Sequence, residues 1–383
     1  MNKKNFKLEF IRGFASLIVV ICHLFILFPE IRINGLTGIS NWGTESVILF
    51  FILSGIVINM SITYRSKSAF EFIKDRLIRI YPQFFVSVIF SILLLYFFNS
   101  SILNYKIIWG NLLMLDTLQC HIACTLPSNS ALWSLSFEMA FYLIFSFAIL
   151  NKTKNKLWLL FSLIIMPLYF TSYNKGFFGY LISIISFSSI WLVGLFLFEY
   201  RNRIKSNIYL SVFSVSLIPL ISRTQITHEY YDPFKFLLLA IALIPFFKFC
   251  ISSDHKNSLS TILSSIFFYI LFSILTFIEN SKLTFVQIIY IILPVFSLLI
   301  SFIIKRFSIK SKYYIEKTSL ILGKYSYSIY IIHYPLFYCL KYAITTPFVR
   351  IIIGIISLIF MAIFLEDYLQ IFITKRAKNY STV

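Results

Sequence analysis

Residues 8–25 read LEFIRGFASLIVVICHLF, an apolar run of 18 residues whose charged or readily protonated side chains are Glu9, Arg12 and His23. As a helix it would rise about 27 Å, close to the thickness of a bilayer's hydrocarbon core, and would satisfy its own backbone hydrogen bonds. The preceding MNKKNFK gives it the outline of a signal peptide. However, Arg12 and His23 lie inside the run and no small-residue cleavage site follows, so a retained membrane span is expected.

The rest of the chain has the same character. Of 383 residues, 59% are hydrophobic, 19% aromatic and only 13% charged, against about a quarter charged in a soluble protein. Such a chain cannot cover a water-facing surface, which excludes a soluble globular enzyme, a disordered tail and a disulfide scaffold. Twelve apolar runs are candidate spans: 9–28, 46–63, 82–98, 132–150, 157–173, 178–198, 207–222, 234–251, 259–278, 285–304, 325–344 and 347–372. The weakest, 157–173 and 207–222, are short and contain Pro167 and Pro219, and re-entrant or surface helices are the alternative for them. The net charge of +19 comes from 34 Lys and Arg against 15 Asp and Glu. With the N-terminus placed in the cytoplasm, about 26 of the 34 cations fall in alternate connecting segments, as the positive-inside rule requires. The basic excess is thus a topology signal, and no nucleic-acid partner is expected. The fold expected is an all-α polytopic membrane bundle of 10–12 spans, forming one domain over residues 1–383 with no appended soluble domain.

Ionisable groups inside a bilayer are costly and mark function by default. Arg12 and His23 are eleven residues apart, about 16 Å of rise and three turns, so they share one helix face. The simpler account has Arg12 reaching the headgroups and His23 meeting a backbone carbonyl. Glu138 lies six residues into the run 132–150, and His23, at matching depth, is its expected partner; a histidine oriented by a carboxylate can serve as a general base. A structural polar pair between helices is the alternative. In FIKDRLIRIYP (72–82), Pro82 is expected to open the third span. Arg76 and Arg79 stand on one face there and suit phosphate oxygens, although on the residues alone ordinary positive-inside anchoring explains them better. Cys120 and Cys124 fall in the longest hydrophilic segment, 99–131, where a disulfide is permitted; with His121 they make too weak a set for a metal, and none is assigned. Glu366 and Asp367 are expected at the membrane interface.

Several of these segments together resemble the integral-membrane acyltransferase family 3, which includes bacterial polysaccharide O-acetyltransferases. An Arg-Gly pair with a His eleven residues after the Arg is matched by Arg12, Gly13 and His23. The FFxLSG segment is Phe50 to Gly55, including Ser54, and RLxRxxP is Arg76 to Pro82. WSLxxE is Trp133, Ser134 and onward to Glu138, with Tyr142 one turn later. SYxxYxxHxP is Ser326, Tyr327, Tyr330, His333 and Pro335. Five such segments in order, over most of the chain, make a strong resemblance.

The resemblance implies a helical bundle of about ten core spans in the bacterial cytoplasmic membrane. It also implies transfer of an acyl group, usually acetyl, from cytoplasmic acyl-CoA to a hydroxyl of an extracytoplasmic cell-surface or lipid-linked carbohydrate. Acetyl-CoA would be a donor substrate rather than a resident cofactor, and membrane lipids the surroundings. Arg76, Arg79 and Arg12 would face the CoA phosphates, while His23 with Glu138 would deprotonate the acceptor. Ser54, Ser134, Ser136 and Ser326 leave an acyl-enzyme route open. A transporter or flippase of lipid-linked saccharides is the competing reading. A sugar polymerase is disfavoured because segment 99–131 has Lys106 as its only cation.

Overall fold

The computed structural model describes residues 5–31, 42–64, 68–148, 152–171, 176–205, 208–223, 231–251 and 312–379. It is helical apart from one two-residue strand pair. In chain order the elements are α1 (Phe6–Leu27), α2 (Gly43–Tyr64), α3 (Ala69–Phe98) and α4 (Tyr105–Leu112), then β1 (Asp116–Thr117) and β2 (Ala123–Cys124). There follow α5 (Trp133–Ala148), α6 (Lys152–Ile165), α7 (Gly176–Glu199), α8 (Ile208–Ser216), α9 (Ile218–Arg223), α10 (Pro233–Ala242) and α11 (Ile244–Ile251). The last are α12 (Lys312–Ala343), α13 (Pro347–Ile363), a π-helical turn at Phe364–Leu369 and α14 (Gln370–Asn379).

Among the described residues, five helices are long and apolar enough to cross a membrane: α1, α2, α3, α7 and the continuous Pro347–Ala377. Counting α10 and α11, bent by 46°, as one span gives six. This is fewer than the twelve expected, and the differences have local causes. The runs 259–278 and 285–304 lie outside the described residues. The run 157–173 gives a 14-residue α-helix that tightens at Met166–Thr171, and the run 207–222 splits into α8 and α9. The run 132–150 yields the 16-residue α5. The run 325–344 belongs to a 32-residue helix, α12, whose motif residues make it too polar to count. Pro82 does not open the third span. The helix begins thirteen residues earlier, where Ser68 and Glu71 form a reciprocal capping box.

The chain divides into two compact units. One comprises Met1–Glu9, Ile48–Tyr64 and Ser189–Leu320. Here α2 and α7 cross backbone to backbone: a Cβ on Gly55 would lie 2.2 Å from the Trp191 carbonyl oxygen, and one on Gly194 would lie 2.1 Å from that of Ile52. Small residues at helix crossings allow this approach. Beside the crossing, Trp191 Nε1 donates to Ser54 Oγ (3.2 Å) and Asn59 Nδ2 donates to the Leu195 carbonyl (2.8 Å).

The other unit comprises Phe10–Val47, Arg65–Ser188 and Ile321–Val383. Its core is aromatic, with Phe28, Phe84, Phe141, Phe145, Phe187 and Phe337 fully enclosed. By contrast α13 turns Ile352, Ile356 and Phe360 outward, as a lipid-facing helix does. Gly13 lets α1 approach α12, since a Cβ there would sit 2.5 Å from Leu322 Cβ.

Two mid-helix prolines shape this unit. A proline lacks the N–H that would reach the carbonyl four residues back, so Pro82 strands the Ile78 carbonyl and Pro335 strands that of Ile331. Both are met by side chains from elsewhere in the unit. Gln370 Nε2 donates to Ile78 O (2.9 Å). Ser87 Oγ (2.6 Å) and Asn129 Nδ2 (3.0 Å) donate to Ile331 O.

Candidate functional site

The close passage of α1 past α12 brings two imidazoles together. His23 Nδ1 lies 2.8 Å from His333 Nε2, with the rings stacked at 5.1 Å and 24°, and Tyr334 edge-on to His23 at 4.9 Å. His333 is fully enclosed, whereas His23 as a whole residue is half-buried.

The hydrogen bonds fix the tautomers. His333 Nδ1 lies 3.1 Å from the Ile329 carbonyl, which can only accept, so Nδ1 carries the proton. His333 Nε2 is therefore an acceptor, and the 2.8 Å bond must be donated by His23 Nδ1–H. Among the described residues no hydrogen-bond partner meets His23 Nε2, which keeps its lone pair. A neutral imidazole held with one nitrogen donating and the other unprotonated is arranged to take a proton.

The expected pairing of His23 with Glu138 is not formed. The Glu138 carboxylate instead accepts from the hydroxyl of Tyr142, one turn later on α5. Glu138 also stands within electrostatic reach of Tyr327, as do Arg79 and Glu366. Equal depth in two runs said nothing about which helix faces came together, and α12 supplied the nearer partner.

Arg79 is likewise not an open cation. Its guanidinium pairs with Glu366 (2.7 Å) and lies over the Tyr327 ring at 5.8 Å. Glu366 also accepts from Gln83 Nε2 (3.0 Å) and Ser328 Oγ (3.3 Å). The π-helical turn makes this possible, because widening the helix at FLEDYL turns Glu366 inward while Asp367 takes Lys324 and the Tyr325 hydroxyl. Arg76 differs: it lies over the Phe72 ring at 5.6 Å, and its buried Nε has no hydrogen-bond partner among the described residues. Arg12 is half-buried on the His23 face of α1.

The remaining motif residues have packing duties. Ser134 Oγ bonds Tyr330 Oη (2.6 Å), which itself donates to the Ala131 carbonyl (2.8 Å). Tyr327 donates to Ile80 O (2.8 Å), Ser326 to Gly323 O (2.8 Å) and Ser136 to Asp116. Trp133 packs edge-on against Phe137 and Phe187. The four serines of the acyl-enzyme alternative thus bond Trp191, Tyr330, Asp116 and Gly323.

In the segment before α5, Cys120 and Cys124 are disulfide-bonded, so neither is a thiolate ligand. Nearby, His121 Nε2 bonds Gln119 Oε1 (2.7 Å) and Ser183 Oγ (3.0 Å). Asp116 is fully buried, and burial pushes its carboxyl up to about 7 despite the bond from Ser136. Among the described residues, no group of three His, Cys, Asp or Glu side chains could hold a metal.

Sequence reasoning missed Glu366, Gln83, Ser328, Ser87, Asn129 and Gln370. With Pro82 and Pro335 inside helices, two carbonyls need donors. Nothing in the sequence named which side chains would provide them.

The chain matches the family model of the acyltransferase 3 group, described as an acyltransferase domain, over residues 5–366. No curated protein and no solved structure gives a significant match.

Proposed function

The chain belongs to the acyltransferase 3 family and is therefore a multi-pass membrane enzyme of acyl transfer, and from that premise we propose that it moves an acetyl group from acyl-CoA to a hydroxyl of a cell-surface carbohydrate. The observation that carries this reading is the hydrogen-bonded chain from His23 through His333 to the Ile329 carbonyl. His23 Nε2 takes the proton of the acceptor hydroxyl as its oxygen attacks the thioester carbonyl carbon. The carbon–sulfur bond then breaks, and the leaving thiolate recovers that proton. His333 holds the ring and accepts from Nδ1–H throughout, so charge building on His23 is stabilised without a second proton moving.

Arg76 is assigned to the CoA phosphates, because it retains an unpaired donor. Arg79 keeps its ion pair with Glu366 and orders the surrounding helices, while Glu138 balances charge near Tyr327. The enzyme works as one catalytic domain in the bacterial cytoplasmic membrane, N-terminus inside, with donor and acceptor approaching from opposite sides.

The test uses purified protein in proteoliposomes with acetyl-CoA, together with NMR of surface glycans from cells with and without the gene. Loss of ester-linked acyl groups in its absence, and thiol release abolished by His23→Ala, support the reading. Normal acylation of an otherwise truncated glycan, or an unchanged rate in His23→Ala, would overturn it.

A further inference from the structure

The stranded carbonyl of Ile331 lies two residues from His333, on the same helix and one turn before Pro335. Its two donors are both fully buried and come from different parts of the chain: Ser87 from α3 and Asn129 from the segment leading into α5. Asn129 Nδ2 also donates to Ser87 Oγ (3.0 Å), and the neighbouring Ser128 Oγ donates to Ser91 O (2.8 Å), tying residues 128–129 to α3. The amide orientation is unambiguous, because a carbonyl oxygen can only accept. Left uncapped, a buried carbonyl would draw in water or let α12 rearrange at its proline.

We propose that Asn129, assisted by Ser87, is a positioning residue of the acyl-transfer site: by capping the Ile331 carbonyl that Pro335 strands, it sets where α12 holds His333, and through it the tautomer and aim of His23. This inference rests on the proposed base role of His23. It assigns catalytic importance to a residue that forms no part of the five motif segments.

The test uses the full chain in proteoliposomes, following thiol release from acetyl-CoA with folding checked by size-exclusion chromatography. In Asn129→Ala, kcat should fall about 10- to 100-fold, the scale of a displacement of about an ångström at reacting groups. KM for acetyl-CoA should stay within about twofold. Pro335→Ala restores a backbone N–H that can reach Ile331 O. In that background Asn129→Ala should therefore cost less than about threefold further. Asn129→Asp offers a donor only when its carboxyl is protonated, so its rate relative to the parent should decline as pH rises. A folded Asn129→Ala with the parental kcat, or the same loss with and without Pro335, would overturn the proposal. If Asn129→Ala does not fold, recovery of folded, active protein by adding Pro335→Ala supports it and failure to recover refutes it. If Pro335→Ala alone abolishes turnover, a pH-independent Asn129→Asp refutes it. An active His23→Ala would instead remove the base reading, while the proline cycle would still report on capping.

Discussion

Replacing Gly13 by alanine tests whether the distance between α1 and α12 controls catalysis. The added Cβ would lie 2.5 Å from Leu322 Cβ and 2.8 Å from the Leu322 carbonyl carbon, where ordinary contacts are 3.4–4 Å. The second clash is with backbone, so a side-chain rotation cannot relieve it, and the helices must separate by about 1 Å. His23 lies ten residues further along α1, about 15 Å away. A rigid shift of that size takes its 2.8 Å bond to His333 to nearly 4 Å, outside hydrogen-bond range. Stability should change little, because overpacking costs about 1–3 kcal/mol while glycine to alanine in a helix returns about 1 kcal/mol. Turnover should fall about 10- to 100-fold. Thiol release from acetyl-CoA and a thermal scan on the same preparation separate the two effects. A Gly13→Ala enzyme keeping the parental kcat would show that α1 yields elsewhere, and that the imidazole contact does not set the rate.

The two arginines of RLIRIYP should part company: Arg76→Ala is expected to raise KM for acetyl-CoA about tenfold or more at unchanged melting temperature, whereas Arg79→Ala should destabilise the fold by about 1 kcal/mol by removing the partly exposed cation paired with Glu366. Equal effects in both assays would refute that division. With its carboxyl pushed up to about 7 in the fold from an ordinary 3.8, Asp116 contributes stability that is fully present below about pH 4 and is lost as pH climbs towards 7. That loss is on the order of 4 kcal/mol. Asp116→Asn should remove this slope in a pH series of thermal scans, and an unchanged slope would contradict the buried neutral acid. Replacing Cys120 and Cys124 by alanine should lower stability by about 2 kcal/mol, the entropy of so short a loop, with turnover affected little; a large loss of activity would tie this segment to the chemistry.

Much of this was legible in the residues because membranes punish polarity. Arg12, His23 and Glu138 stood out from apolar runs, and the five motif segments gave the family. Partners were not legible. Residue spacing within a helix places His23 and Arg12 on one face, but which other helix meets that face depends on the close crossing at Gly13, whose consequences are three-dimensional. Glu366 takes Arg79, Gln83 and Ser328 from distant parts of the chain, partners that its place near the end of the last run did not name. The third span was assigned a proline start because Pro82 is a strong signal, while the weaker Ser68–Glu71 capping box, equally present in the sequence, is where the helix begins.

The imidazole pair also bears on how the enzyme comes into being. Its two halves are 310 positions apart, so at about 5–20 residues per second the ribosome makes His333 some 15 to 60 seconds after His23. During that interval α1 already occupies the bilayer with its imidazole unmatched, and the groups that later fix its tautomer do not yet exist. On the proposed mechanism, catalytic competence is consequently a product of the last helices to be inserted. On that reading a nascent or prematurely released chain can be membrane-embedded and still inert towards its acyl donor.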